Sequence, residues 1–182
     1  HIGTADIILG RPDLTAPLLP EALRLRWLQS TFAGIEQLCS KGLRRDYTLT
    51  GVKDIFGPLM SEYVFSYILA IERSLVETRN NQFKRQWQPL SYRGLSGLTV
   101  GIAGLGSIGR HIALTASRFG MKVLGLNRAG GNVDCVDHVF SVAEKHSFLT
   151  QLDYLVVTLP ETASTKQFFN FCFVDRIIGK LF

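Results

Sequence analysis

The sequence predicts an α/β fold built on parallel sheets. Three observations carry the prediction. Short apolar runs of strand length alternate along the chain with helical patterns, which implies parallel pairing through crossovers. Residues 99–113 read as a strand, a tight glycine turn and a helix. The run Tyr154-Leu-Val-Val-Thr-Leu159 is continuous, β-branched and closed by Pro160, the pattern of a strand buried on both faces.

Taken in order, Ala5-Asp-Ile-Ile-Leu9 is a short buried strand, ended by Gly10 and the loop Arg11-Pro12-Asp13. Pro17 and Pro20 bracket a short turn or helix that presents Leu18 and Leu19. Leu25-Arg-Trp-Leu28 is a second strand, with Ser30 to Ala33 as its C-terminal loop. A helix is expected to begin over Gly34 to Leu38, and Leu43 to Tyr47 is a polar connector. Tyr47-Thr-Leu-Thr50 is a third strand candidate. Gly57-Pro58 opens a long helix, because proline suits a first turn whose N–H groups have no helical partner. Leu59, Tyr63, Tyr67 and Leu75, with Val64, Ile68 and Ile71, form a broad apolar stripe expected to be buried.

Asn80 to Gly97 is polar and interrupted by Pro89, Gly94 and Gly97, and is read as a domain boundary. The expected organisation is one domain over residues 1–80, a linker over 81–97 and a second domain over 98–182. In the second, Thr99 to Ala103 and Lys122 to Leu126 are strands on either side of one helix length. Ala129-Gly-Gly131 is a loop, Asp137 to Phe140 a strand candidate and Ser141 to Thr150 a helix candidate. Thr162 to Phe169 reads as the start of another helix.

Composition narrows the function classes. A chain of 182 residues with 46% hydrophobic content can bury a core and suits one to two domains. The net charge of +5 is spread over scattered Arg and Lys residues, which reads as a solvated surface and not as a nucleic-acid stripe. Cys39, Cys135 and Cys172 are odd in number and far apart, with no C-x-x-C and no zinc-type Cys/His spacing. This favours a reducing, cytoplasmic setting with no structural metal. The longest apolar run, Val64 to Ile71, is too short to span a membrane. No signal peptide is visible, although the chain opens at His1.

Gly104-Leu105-Gly106-Ser107-Ile108-Gly109 fits the G-x-G-x-x-G pattern in the strand-to-helix context a dinucleotide requires. Gly104 allows the sharp turn, Gly106 lets a pyrophosphate approach the main chain, and Gly109 allows close helix–strand packing. The first helical N–H groups and the helix dipole favour the phosphate charge. A glycine-rich turn of another α/β domain, a methyltransferase above all, shares this pattern. The second strand ends in Asn127-Arg128, where NAD-specific folds place an acidic residue on the ribose hydroxyl. With no carboxylate there, and a guanidinium suited to phosphate, the expected cofactor is NADPH (NADP). If Arg128 is only a solvated loop residue, NAD is the alternative.

Four stretches together resemble the D-isomer-specific 2-hydroxyacid dehydrogenases, most closely their glyoxylate/hydroxypyruvate reductase branch. They are Leu25-Arg-Trp-Leu-Gln-Ser-Thr-Phe-Ala-Gly-Ile35, Met60-Ser-Glu-Tyr63, Gly101 to Gly109, and Thr158-Leu-Pro-Glu-Thr-Ala-Ser-Thr165, a P-x-T-x-x-T loop. The likeness runs from about Ala5 to about Asn170. It implies two flavodoxin/Rossmann-like parallel-sheet domains, both incomplete in this chain. Residues 1–80 would be the substrate domain's remnant with the interdomain helix, and 98–182 the first part of the NAD(P)-binding domain. The resemblance implies that main-chain N–H groups around Ala33, Gly34 and Ile35 hold a substrate carboxylate, with Phe32 and Met60 lining the substrate and nicotinamide region. Ordinary packing is the alternative for each. Leu159, Pro160 and Thr165 would face the cofactor. Trp87-Gln-Pro-Leu90 is similar to a reductase segment at the domain junction and dimer contact.

The family transfers hydride from NAD(P)H to a small 2-oxo acid such as glyoxylate or hydroxypyruvate, using a histidine, a glutamate and an arginine. Their positions fall downstream of Phe182, so no catalytic residue is expected in this chain, and His1, His111, His138 and His146 are expected to be structural or surface residues. The family's Lys-Pro-Gly turn is not matched after Asn170, and its first strand and helix are not matched before Ala5. The isolated chain is therefore expected to be inactive and either poorly soluble or in need of a partner, and a homodimer when full length. Two other readings stay open: a non-catalytic dinucleotide-binding interaction module on the same scaffold, and a product without a function of its own.

Overall fold

A computed structural model describes residues 1–128, 130–160, 162 and 164–169. The chain forms two compact units, His1–Ile55 and Phe56–Phe182. The division falls ahead of the 81–97 stretch expected to be the linker, because the long helix packs inside the second unit.

The first unit holds a three-stranded parallel sheet in the order β1 (Ile7–Gly10), β2 (Trp27–Ser30), β3 (Thr48–Thr50). Ile8, Leu28 and Leu49 share one register row across it. Its core is Leu19, Ala22, Leu25, Leu28 and Leu38, with Ile8, Ile35 and Leu49 packed against it. Each strand starts one or two residues later than hydropathy predicts. Leu25, for example, is spent on the core from the turn before β2. Between Pro17 and Pro20 only Leu19 is buried, and Leu18 faces outward. A short helix α1 (Pro12–Thr15) follows β1. The expected helix over 34–38 is a single 3-10 turn, Glu36–Cys39, that buries only Leu38.

The second unit contains α2 (Gly57–Glu72), α3 (Leu75–Phe83), β4 (Thr99–Ala103), α4 (Ser107–Arg118), β5 (Lys122–Asn127), β6 (His138–Ser141), α5 (Lys145–Leu149) and β7 (Tyr154–Val157). Its four strands are parallel in the order β6-β5-β4-β7. β4 is buried throughout, which suits its central place. β7 is not the fully buried strand its composition predicts. It has one neighbour among the described residues, is half-buried over Tyr154 to Val156, and exposes Val157. Thr162 to Phe169 forms turns over its described residues, not the expected helix.

The long helix corrects a further expectation. α2 turns Gly57, Ser61, Phe65, Ile68 and Glu72 inward, at spacings of three and four. Leu59, Tyr63, Tyr67 and Ile71 are each more than half exposed. Small residues decide this. A Cβ on Gly57 would stand 2.9 Å from the His111 Cβ of α4, so glycine permits the close crossing. Ser61 Oγ then lies 2.8 Å from His111 Nδ1. α2 and α3 are separated at Ser74, a left-handed residue (φ 48°), so Leu75 belongs to a different helix.

Two aspartates fix the register of the sheet. Asp153 N–H donates to Thr99 O at 2.9 Å while Thr99 N–H donates to Asp153 Oδ2 at 2.8 Å. Asp137 repeats the arrangement with Val123, at 2.8 and 2.7 Å. Each clamp sits one residue before the first paired row of its two strands. Nearby, the inward Glu72 carboxylate accepts from Arg93 Nε (3.0 Å), Arg93 Nη2 (2.6 Å) and the Tyr154 hydroxyl (2.6 Å). The Arg93 hydrogen bonds hold Glu72 below its ordinary carboxylate range, against the opposing effect of burial. Burial, then the bond to Glu72, pushes the Tyr154 phenol well above its ordinary range, so it stays a donor.

Candidate functional site

The strand order reverses at β4. The chain runs outward through β5 and β6, then returns to the far side of β4 as β7. In open parallel sheets, the crevice beyond the strand ends at such a reversal is where ligands bind. The glycine turn occupies that place, between the end of β4 and the start of α4.

Each glycine has a distinct physical reason. Gly104 has φ +99°, a conformation side chains resist, and a Cβ there would meet Thr158 at 3.0 Å. A Cβ on Gly109 would fall 2.0 Å from Gly104 O, so nothing larger lets α4 sit this close to the turn. Gly106 has nothing within 4 Å of its Cβ position and lies open. The carbonyls of the turn are all taken. Gly104 O accepts from Thr158 Oγ1 at 2.6 Å, Leu105 O from Arg110 Nε at 3.0 Å, and Gly106 O from Arg110 N–H at 2.9 Å. That last bond is the first of the helical ladder, so the amides of Ser107, Ile108 and Gly109 have no intrahelical acceptor. Leu105 and Ile108 serve differently: the Leu105 side chain is buried in the core, and Ile108 packs against that core. The turn therefore offers main-chain donors to an anion and turns its acceptors inward, which fits a pyrophosphate.

At the end of β5, Asn127 and Arg128 divide their work. Asn127 Oδ1 accepts from Gly130 N–H at 2.6 Å and its Nδ2 donates to Gly130 O at 3.2 Å, folding the side chain into the loop. Arg128 is exposed and has no hydrogen bond or ion pair among the described residues. Beyond β7, Leu159 packs against the second core cluster of this unit. The P-x-T-x-x-T loop is laced by its own hydroxyls. Thr165 Oγ1 donates to Pro160 O, lies 2.9 Å from Thr162 Oγ1, and accepts from Thr162 N–H at 2.8 Å. Met60, on α2, lines a groove of about 410 Å³ with Tyr63, Tyr67, Tyr154, Val156 and Thr158.

In the first unit, Phe32, Ala33 and Gly34 are exposed after β2, and Ile35 is half-buried against its core. Ser30 Oγ shapes the start of this loop, accepting from Phe32 N–H at 3.0 Å and donating to Phe32 O at 2.9 Å. A Cβ on Gly34 would meet Glu36 Oε2 at 2.8 Å. Arg11, held to Asp13 at 2.8 Å, stacks 5.5 Å over the Phe32 ring, and a hollow of about 280 Å³ opens between these residues.

Sequence reasoning gave Thr158 and Arg110 no role. Their contribution is a hydrogen bond to a carbonyl distant along the chain or across a turn, which no local pattern shows. No group of three potential metal ligands exists among the described residues, and no helix there is long and apolar enough to cross a membrane.

The sequence profile described as D-isomer specific 2-hydroxyacid dehydrogenase, NAD binding domain, matches residues 65–176. Glyoxylate/hydroxypyruvate reductase A of Serratia proteamaculans is 30% identical over 111 residues, 61% of this chain and 36% of that protein. Glyoxylate reductase of Thermococcus kodakarensis is 27% identical over 159 residues, 82% of this chain and 48% of that protein. A solved D-isomer specific 2-hydroxyacid dehydrogenase family protein from Aeromonas salmonicida is 47% identical with a TM-score of 0.87, covering 90% of this chain and 53% of its own. The NADPH-dependent glyoxylate/hydroxypyruvate reductase of Sinorhizobium meliloti, solved with NADP and sulfate, is 28% identical with a TM-score of 0.76, covering 89% and 51%. The chain thus spans about half the length, or less, of these relatives.

Proposed function

The chain belongs to the D-isomer specific 2-hydroxyacid dehydrogenase family, and on that premise we propose that it is the cofactor-binding part, with a substrate loop, of an NADPH-dependent reductase of a small 2-oxo acid such as glyoxylate or hydroxypyruvate. The observation that carries the reading is the glycine turn at the strand-order reversal, with its carbonyls occupied and its amides unspent. Those amides and the start of α4 bind the pyrophosphate. When bound, the reduced nicotinamide supplies the hydride.

Around it the chain's own residues orient the reactants. Met60, at the groove that reaches Thr158, bounds the nicotinamide end. The main chain at exposed Ala33 and Gly34 and at half-buried Ile35 receives the substrate carboxylate, with Phe32 as an apolar wall. Leu159, Pro160 and Thr165 form the cofactor's flank, the loop hydroxyls keeping that flank in shape. We assign no residue of this chain to proton transfer. The whole protein acts in the cytoplasm as a homodimer.

Preference for NADPH rests on Arg128. It is an exposed guanidinium at the strand end, and Asn127, the neighbour that could have read the ribose, is turned into the loop. Dissociation constants for NADPH and NADH, measured on the wild type and Arg128→Asp, test it. The expected result is at least tenfold tighter NADPH binding in the wild type, reversed by the substitution. Equal affinities in the wild type would overturn the preference, and binding of neither would overturn the cofactor reading.

A further inference from the structure

The middle peptide of the glycine turn is anchored from one side only, by Arg110. Its Nε donates to Leu105 O at 3.0 Å. The Leu105–Gly106 peptide is trans, so Gly106 N–H points opposite to that carbonyl. Leu105 cannot swing to follow a different arrangement. Its side chain is 8% exposed and stands 2.7 Å from where a Cβ on Gly125 would lie. Gly106 N–H has no acceptor among the described residues, and the space around Gly106 is open. Glycine has the softest backbone of any residue, so an unanchored Leu105–Gly106 plane would be free to flip and turn its carbonyl oxygen toward an incoming anion.

We propose that Arg110 is a positioning residue for the dinucleotide: by holding the Leu105 carbonyl, it aims Gly106 N–H at the open side of the turn, where the pyrophosphate is received. This deepens the cofactor reading above and rests on it. Arginine suits the task because its donors are separable. Nε is spent on the carbonyl, while the two terminal nitrogens are not needed for that bond. The role belongs to the Nε position, which makes it testable by substitution. In Arg110→Gln the amide nitrogen would sit the same number of bonds from Cα, keeping the donor and losing the charge. In Arg110→Lys the charge would remain, one atom further out.

The experiment uses the whole 182-residue chain with Arg110→Gln, Arg110→Lys and Arg110→Ala. Dissociation constants are measured for NADPH, for ADP-ribose, which carries the pyrophosphate without nicotinamide, and for adenosine 2′-monophosphate, which carries no pyrophosphate. Thermal melts of each variant monitor folding. We expect Arg110→Ala and Arg110→Lys to weaken NADPH and ADP-ribose about tenfold, and Arg110→Gln less than about threefold. Adenosine 2′-monophosphate stays within about twofold throughout, a selectivity that a general loss of stability would not produce. Rescue by lysine and not by glutamine would overturn the proposal in favour of charge alone. Wild-type affinity in Arg110→Ala would also overturn it, leaving the cofactor reading intact. If the alanine variant does not fold, the glutamine and lysine pair decides between these outcomes. Failure of the wild type to bind NADPH or ADP-ribose would overturn the cofactor reading and this inference with it.

Discussion

Thr158 donates its hydroxyl hydrogen to the Gly104 carbonyl across 2.6 Å, so the residue that follows β7 closes the turn that follows β4. The two strands flanking the reversal are thereby tied at the glycine turn. Thr158→Val keeps the shape and removes the donor, leaving a half-buried acceptor without its partner at a cost of about 1–2 kcal/mol. The expected outcome is a lower melting temperature and NADPH binding weakened about five- to tenfold. Thr158→Ser should retain most of both. Melting curves and fluorescence titration check this.

Gly109→Ala puts a methyl group 2.0 Å from Gly104 O, a distance no rotamer change relieves. α4 must move off the turn, at about 1–3 kcal/mol of overpacking. Nucleotide affinity should fall by more than tenfold even at temperatures where circular dichroism shows the chain folded. An alanine at Gly106, where the space is open, should perturb folding far less, so the pair separates packing from ligand approach.

Glu72 makes stability depend on acid. Its pKa is depressed in the folded chain by the Arg93 hydrogen bonds, so its contribution is present above the ordinary glutamate value of about 4.3 and is lost as pH falls through the lower folded value. Arg93 is 60% exposed, so the contribution is discounted to about 1–2 kcal/mol. Glu72→Gln should lower stability near pH 7 by that amount and flatten its decline below about pH 5. Urea melts at several pH values test it, and a variant with an unchanged acid limb would refute it.

Asp153→Ala and Asp137→Ala each remove an acceptor from an amide near a strand's start, Thr99 in β4 and Val123 in β5. We expect each to cost about 1–2 kcal/mol, measured by urea denaturation. The two should add, because they fall on different strand pairs, β4–β7 and β5–β6. A strongly non-additive double variant would show that the clamps act as one unit.

The glycine turn was legible in the sequence because its demands are local. Gly104 needs a positive φ and Gly109 a missing side chain, and each leaves its mark at its own position. The alternation of strands and helices was legible for the same reason. What α2 buries was not, because a helix apolar on most of its circumference leaves the choice to its partner. Gly57 and Ser61 win the contact with His111, and the larger Leu59, Tyr63 and Tyr67 stay outside. β7 misled because its composition suits a strand covered on both sides, while its exposure depends on which strands lie beside it. Thr158 and Arg110 were hidden because their hydrogen bonds are properties of the folded turn.

The aspartate clamps have a bearing on the far end of the sheet. Parallel strands of apolar residues tolerate sliding, since one apolar row resembles the next. Asp153 and Asp137 give the sheet a datum, and from it the chain counts: five positions from Thr99 to Gly104, four from Val123 to Asn127. At about 3.3 Å per residue, an error of one position at the datum would arrive undiminished at the glycine turn roughly 16 Å away. These two carboxylates work as the zero mark of a ruler, and the placement of the glycine turn is set at the opposite end of the sheet.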